Sequence, residues 1–174
     1  MAGLKFRVLL DSKNKDEIFR DIIISDKDNF ETFYKTILKA YNFSNNEMAS
    51  FYMSNENWDK GYEISLFDMS FDEDNSQIMP GVMKTCIIGD FIQESDQKII
   101  LVHDFLNMWM FLIELIEYKK ESPKYPEILL AIGKSPNENS KINDQNSLQF
   151  TTEIESQEDE DEFGFNDFED QYEY

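Results

Sequence analysis

The charges of this 174-residue chain are distributed so unevenly that only part of it can form a hydrophobic core. Residues 1–141 hold all 16 lysines and arginines and 24 acidic residues, a net charge of −8. Residues 142–174 hold the other 12 acidic residues and no base, a net charge of −12. A segment with so much uncompensated charge repels itself and resists collapse. We therefore expect one folded domain of roughly 140 residues, followed by an acidic tail.

Composition divides the chain into three parts. Residues 1–134 mix apolar and polar positions as a folded domain does, residues 135–152 form a polar linker rich in Asn and Ser, and residues 153–174 form the acidic and aromatic tail. Across the junction of linker and tail, Leu148–Ile154 alternates weakly between apolar and polar residues. Such a segment could add a strand to the sheet edge of a partner.

Five short segments of the domain are rich in branched and aromatic residues, which predicts β-strands. The first two are joined by a polar turn and are expected to form a hairpin. The five are Leu4–Leu10, Ile18–Ser25, Ala49–Met53, Tyr62–Leu66 and Lys98–His103.

An amphipathic pattern predicts an α-helix from about Asn29 to Ala40. Its apolar residues recur at helical spacing, which places them on one face, and we interpret this aromatic stripe as core rather than as a ligand site. Asp28 is expected to cap the helix, with Glu31 favouring its positive end. Val82–Ile92 fits a second, shorter helix. The stripe comprises Phe30, Phe33, Tyr34, Ile37, Leu38 and Tyr41.

The segment from Phe105 to Ile116 is ambiguous. Phe105, Leu106, Trp109, Leu112, Ile113 and Ile116 fit a helical stripe, whereas Trp109, Phe111, Ile113 and Leu115 fit one face of a buried strand. Periodicity does not decide between them.

Several segments resemble the plasmid pRi ORF-three-like family, whose members are sometimes labelled insertion-element passenger proteins. They are FRVLL, EIFRDIII, NFETFYKTILKAYNF, MASFYMSNENW, KGYEI, KIILVHDFLNMWMFLIELIEY and YPEILLAIGKSPNE, within residues 4–138. The resemblance implies an α+β fold, with a mixed or antiparallel sheet packed against two or three helices. It also implies that the ambiguous segment is a hairpin that turns near Leu106-Asn107.

Two departures from the family pattern limit what the resemblance implies. Phe105-Leu106-Asn107 stands where the family has Phe-Gly-Asp, so a turn glycine and a carboxylate are missing. Residues 127–136 replace a family segment that contains cysteine and glycine. A ligand held by those family residues could not be held here, and the family offers no activity to transfer.

The tail combines carboxylates with exposed rings, which a purely solubilising segment does not need. We expect the rings to enter apolar pockets of a partner protein while the carboxylates meet its basic rim. The alternative is a disordered tail that only keeps the protein in solution. The expected partner-binding residues are Asp159, Glu160, Asp161, Glu162, Phe163, Phe165, Phe168, Tyr172 and Tyr174.

The residues of the domain do not predict an active site. His103 is the only histidine, too few for a metal phosphohydrolase, and the glycines are scattered singly rather than forming a phosphate loop. Cys86 lies among apolar residues and is expected to be inert. We therefore expect no enzyme and no cofactor, although a pair of carboxylates brought together by the fold stays open.

The acidic loop around Asp72-Glu73-Asp74 invites comparison with calcium sites. A helix-loop-helix calcium site needs glycine at its sixth position and glutamate at its twelfth. Counted from Asp72, those positions hold Gln77 and Met83. We therefore expect a solvated loop and no metal.

The remaining sequence signals concern location and partner class. No signal peptide and no membrane span are predicted, and one cysteine suits a reducing compartment, so we expect a cytoplasmic protein. The negative charge disfavours direct binding to nucleic acid.

Three functions stay open. The first is an interaction module whose tail docks on a basic groove, for example in a transcription or translation complex. The second is a nucleic-acid mimic that occludes a binding channel. The third is an uncharacterised enzyme of the parent family.

Overall fold

One sheet carries a long amphipathic helix on one of its faces in the computed structural model, which describes residues 1–13, 15–44, 47–68 and 79–141. The fold occupies Met1–Pro136. Its elements are β1 (Gly3–Leu10), β2 (Phe19–Ser25), α1 (Phe30–Tyr41), β3 (Ala49–Ser54), β4 (Glu63–Ser65), β5 (Gly81–Val82), a 3-10 helix (Ile88–Phe91), β6 (Lys98–His103), β7 (Trp109–Lys119) and β8 (Glu127–Ile132).

The eight strands of the described residues lie in the order β5-β4-β3-β6-β7-β1-β2-β8. Every neighbouring pair is antiparallel except β4 and β5, which are parallel, so the sheet is mixed as predicted. The N-terminal hairpin of β1 and β2 is inserted between β7 and β8, which come more than 80 positions later in the chain.

The prediction of two or three helices is wrong for the described residues, which form one α-helix and one 3-10 helix. The predicted helix over 82–92 is replaced by a turn followed by the 3-10 helix. In this turn, the carbonyl groups of Met83 and Cys86 accept hydrogen bonds from the amides of Glu31 and Phe30. Those are the first free amides of α1. The segment therefore bonds to its neighbours in the fold rather than to itself.

Helix α1 begins one residue later than the predicted cap implies. Asn29 is the N-cap, and its side-chain oxygen accepts the amide of Thr32 at 2.8 Å. Asp28 instead accepts the amide of Ser25 at 3.3 Å. An N-cap side chain reaches the amide three positions on, and Asn29 stands at that spacing from Thr32.

The predicted aromatic stripe of α1 is buried against the sheet, which confirms its interpretation as core. The ring of Phe33 lies between Phe6 of β1, at 4.8 Å between centroids, and Phe51 of β3, at 5.7 Å. Contacts of this kind between large rings contribute strongly to the stability of a core.

The ambiguous segment is a strand, as the family resemblance implies. Strands β6 and β7 form a hairpin, and their turn is organised by Asp104, whose carboxylate accepts the amides of Leu106 and Asn107 at 3.1 and 3.4 Å. Backbone φ is positive at Asp104 and at Met108, at 62° and 53°. The left-handed residues of this turn are therefore Asp104 and Met108, and not Leu106, which stands at the position of the family glycine.

Candidate functional site

The nine residues predicted to bind a partner, at positions 159–163, 165, 168, 172 and 174, lie outside the described residues. The same holds for the acidic loop around Asp72 and for the segment Leu148–Ile154. The described residues offer two further surfaces that the sequence did not single out.

The first surface is the edge strand β8, which we call the β8 edge. It pairs with β2 on one side and, within the described residues, with no strand on the other. All six of its residues are exposed, and four of them are large and apolar. Ile128, Leu129, Leu130 and Ile132 are each 41–45% exposed. Exposed apolar edges of this kind are sites at which a second strand can pair.

A β-bulge determines which face each residue of the β8 edge occupies. Asp21 pairs with Leu130 and Ile22 pairs with Ile128, so Leu129 is the extra residue. Since Ile22 belongs to the core under α1, Ile128 lies on the helix side of the sheet. Leu130 and Ile132 lie on the opposite side.

The end of β8 is anchored by a buried arginine. Arg20, 6% exposed, donates from its guanidinium to the carbonyl oxygens of Ile132 at 2.8 Å and of Ala40 at 3.1 Å. Its guanidinium also lies over the ring of Tyr41, 4.8 Å from the centroid. The forked donor geometry of arginine allows one side chain to join the edge strand to the end of α1.

Two residues after β8 complete this anchor. Gly133 has a φ of +80°, and a side chain there would place Cβ 2.7 Å from the carbonyl oxygen of Glu17. The hydroxyl of Ser135 donates to the carbonyl of Tyr41 at 2.6 Å. The β8 edge is therefore exposed but fixed in position.

The second surface is a cleft of about 530 Å³ beside the β3–β4 hairpin, which we call the hairpin cleft. Tyr62 and Phe91 stack at its wall, with ring centroids 5.8 Å apart and 15° between the planes. The buried amide of Gln97 donates to the carbonyls of Ser54 and Lys98 at 3.2 and 3.1 Å. The cleft thus presents flat rings beside polar groups that are already bonded to the protein.

The chemically reactive side chains of the fold take part in packing. His103 is fully buried, and its Nδ1 lies 2.8 Å from the hydroxyl of Tyr34. Burial raises the pKa of the Cys86 thiol, which reduces the fraction of reactive thiolate at neutral pH. Asp21, 2% exposed, receives two hydrogen bonds from Arg7 at 2.8 and 2.9 Å.

Two kinds of feature are absent from the described residues. These residues contain no group of three or more His, Cys, Asp or Glu side chains placed to hold a metal ion. They also contain no helix long and apolar enough to cross a lipid bilayer.

Comparison with known families identifies the lineage of the chain. The model of the family described as plasmid pRiA4b ORF-3-like protein matches residues 2–172. The chain belongs to this family. The match extends well past the domain and includes the acidic and aromatic tail almost to its end, further than the sequence resemblance indicated.

Structural comparison supports the fold of this family member. A crystal structure of a protein of unknown function from Methanosarcina mazei Go1 is similar, with a TM-score of 0.64 and 16% sequence identity. The similarity covers 85% of this chain and 80% of the other. At this identity the likeness concerns the fold alone. Among curated proteins, no match was found.

A sequence signal for the β8 edge existed. The run from Glu127 to Ile132 is apolar after its first residue and is bounded by Pro126 and Gly133, which is typical of a buried strand. In the comparison with the family pattern, this run stands out only as a departure. The hairpin cleft had no comparable signal, because Tyr62, Phe91 and Gln97 come from three separate elements.

Proposed function

We propose that this member of the plasmid pRiA4b ORF-3-like family is a non-catalytic, cytoplasmic protein–protein interaction module. In this proposal residues 153–174 dock on a basic groove of a partner protein. The observation that carries the proposal is the tail itself, in which five aromatic rings stand among acidic residues without a single base.

The carboxylates and the rings of the tail have different roles in binding. Carboxylates attract a basic surface over roughly 10 Å at moderate salt and so speed the encounter. The rings then supply binding free energy by leaving water for apolar pockets. A tail with charge alone would bind weakly and without specificity.

Two further observations support the proposal. The family match runs to residue 172, so the tail lies within the region common to family and chain. The histidine and the cysteine of the domain are also used in packing, His103 in a buried contact with Tyr34 and Cys86 as a thiol whose pKa burial raises.

We propose a nucleic-acid-handling complex as the partner, because such machines expose basic clefts of the required charge. The same chemistry would suit a mimic of nucleic acid, in which carboxylates take the place of phosphates and rings the place of bases. Competition distinguishes the two.

The test is affinity capture from a cell extract with three purified proteins. They are the full chain, a truncation after Lys141, and a full-length variant with Phe163→Ala, Phe165→Ala and Phe168→Ala that keeps every carboxylate. We expect the full chain to retain specific proteins that both variants lose, and raised salt to weaken the capture.

The outcomes separate the candidate functions. Equal capture by the full chain and the truncation would contradict docking through the tail. Release of the captured protein by added single-stranded nucleic acid would favour mimicry over simple docking. Retention by the ring variant but not by the truncation would show that the rings of Phe163, Phe165 and Phe168 are not needed and would contradict their role in docking.

A further inference from the structure

We propose that the β8 edge is a homodimer interface, in which two copies of the chain pair their β8 strands antiparallel about a twofold axis and continue the sheet from one copy into the other. This inference concerns a surface of the domain and is independent of docking through the tail.

The β8 edge is open to pairing and carries little protection against it. Within the described residues β8 has a neighbour on one side only, so its outward backbone amide and carbonyl groups are available to a second strand. Natural edge strands are protected by charges, prolines or short length. Over its six residues the β8 edge has one charge, at Glu127, and no proline.

The charge pattern of the β8 edge is self-complementary. An acidic residue, Glu127, begins the strand, and a basic residue, Lys134, follows its end. Both are exposed, and neither enters an ion pair among the described residues. Antiparallel pairing of two copies brings Glu127 of each toward Lys134 of the other, twice, whereas parallel pairing would bring like charges together.

The apolar side chains of the β8 edge also match across the twofold axis. A pairing centred on Ala131 sets Leu130 of one copy opposite Ile132 of the other, also twice. With Leu129 as the extra residue of the bulge, the same pairing sets Glu127 opposite Lys134. Leu130 and Ile132 lie on the face away from α1 and are about two-fifths exposed in one copy. Cross-strand apolar pairs of this kind stabilise a sheet, and the small Ala131 allows close approach at the centre.

The anchor at the end of β8 makes the edge suitable for this role. Arg20 and Ser135 hold the strand in position before a second copy arrives, through hydrogen bonds at 2.8 and 2.6 Å to Ile132 and Tyr41. A strand that is already ordered loses less entropy on pairing. Six residues make a small interface, so we expect a dissociation constant in the range of roughly 1–100 µM.

The first experiment measures the mass of the full chain by sedimentation velocity from about 1 to about 300 µM, a range that spans the expected dissociation constant. We expect the mass to rise from 20.6 kDa to twice that value with concentration. Leu130→Lys should remain monomeric, and the matched control Leu106→Lys, which changes an 82% exposed leucine in the β6–β7 turn, should dimerise normally. A full chain that stays monomeric throughout, or Leu130→Lys that still dimerises, would overturn the proposal.

Charge reversal tests the antiparallel arrangement. Glu127→Lys and Lys134→Glu should each weaken the dimer roughly threefold to tenfold, as expected for two exposed pairs, and the double reversal should restore it. Because these residues are exposed, the variants are expected to fold, and circular dichroism checks that they do. A double variant weaker than either single one would overturn the arrangement.

A cysteine cross-link tests the centre of the pairing. Cα atoms of directly opposed residues in an antiparallel pair are about 4.5–5.5 Å apart, a separation that a disulfide can span. In a Cys86→Ser background, Ala131→Cys should therefore oxidise to a covalent dimer faster than the control Leu106→Cys. Equal rates would overturn the register.

The truncation after Lys141 separates this inference from the proposed function. It should dimerise as the full chain does while losing the captured partner. A truncation that loses the dimer would show that the tail, and not the β8 edge, holds two copies together, and would overturn the interface.

Discussion

Strands β2 and β8 lie side by side and are similarly rich in branched aliphatic residues, yet their environments are opposite. Ile22 and Ile24 of β2 are fully buried, whereas Ile128 and Ile132 of β8 are both 41% exposed. Ile22 and Ile128 are even direct partners in the sheet. Position in the sheet, and not composition, therefore decides whether an apolar side chain stabilises the fold or remains available to a partner.

The difference arises from what covers each strand. Strand β2 has a neighbour on both sides and lies under the end of α1, where the guanidinium of its Arg20 lies 4.8 Å from the centroid of the Tyr41 ring. Strand β8 lies one position further out and leaves a cleft of about 350 Å³ between Ile128 and the helix lysines Lys35 and Lys39. One strand spacing is enough to move an isoleucine from core to surface.

The largest effect is expected from truncating the two partnered isoleucines. Ile22→Ala should lower the free energy of unfolding by about 2–5 kcal/mol, because it leaves a cavity in the packed core. Ile128→Ala should cost less than about 1 kcal/mol. Urea unfolding monitored by tryptophan fluorescence measures both, and equal losses would break the contrast between the strands.

A smaller effect is expected from substituting Arg20, which joins the end of β8 to the end of α1. Arg20→Lys keeps the charge but loses the forked guanidinium that donates to the carbonyls of Ala40 and Ile132. It should lower the free energy of unfolding by about 1.5–3 kcal/mol. Hydrogen exchange should rise at the amides of β8 more than at those of β6. Uniform exchange across the sheet would show that Arg20 stabilises the whole fold rather than the edge.

The smallest effect is expected in the pH dependence of stability, and it tests the burial of Tyr41 over β2. Burial raises the pKa of Tyr41 above its ordinary value near 10, although the charge of Arg20 opposes the rise. Above pH 10 the unfolded chain loses this proton while the folded chain keeps it, so stability falls as pH rises. The free energy of unfolding should fall less steeply with pH in Tyr41→Phe, by about 1.4 kcal/mol per pH unit above pH 10.

Two controls accompany the pH measurement. Tyr125→Phe removes a 67% exposed hydroxyl and should leave the slope unchanged. Burial and the nearby Glu63 also raise the pKa of Tyr52, so part of the alkaline loss should persist in Tyr41→Phe. An unchanged slope in Tyr41→Phe would contradict the burial argument.

The sequence predicts the parts of the fold that depend on local pattern. The stripe from Phe30 to Tyr41 has a helical period and a nearby cap, and the helix forms within one residue of its predicted bounds. The strand Lys98–His103 is predicted without error, since its branched residues have no competing pattern. The β7 strand needed the family resemblance, because Trp109–Leu115 satisfies two periods at once.

The parts that failed depend on contacts distant in sequence. Residues 82–92 have a helical apolar pattern, but Met83 and Cys86 use their carbonyls to bond the first amides of α1. No pattern within residues 82–92 predicts these hydrogen bonds to α1. The strand β8 had a local signal, but its exposure had none, because exposure follows from the order of strands in the sheet. The predicted partner-binding residues of the tail stay a prediction.

The insertion of the N-terminal hairpin between β7 and β8 also determines when its strands can pair with their neighbours during synthesis. Strands β1 and β2 emerge first, but the strands that flank them emerge roughly a hundred residues later, which takes about 5–20 s at typical rates of translation. Both sides of the nascent hairpin stay unpaired over that interval. Newly made chains on one messenger therefore spend seconds with open apolar edges, and a chaperone that shields extended segments should raise the yield of this protein more than that of one whose neighbouring strands are consecutive.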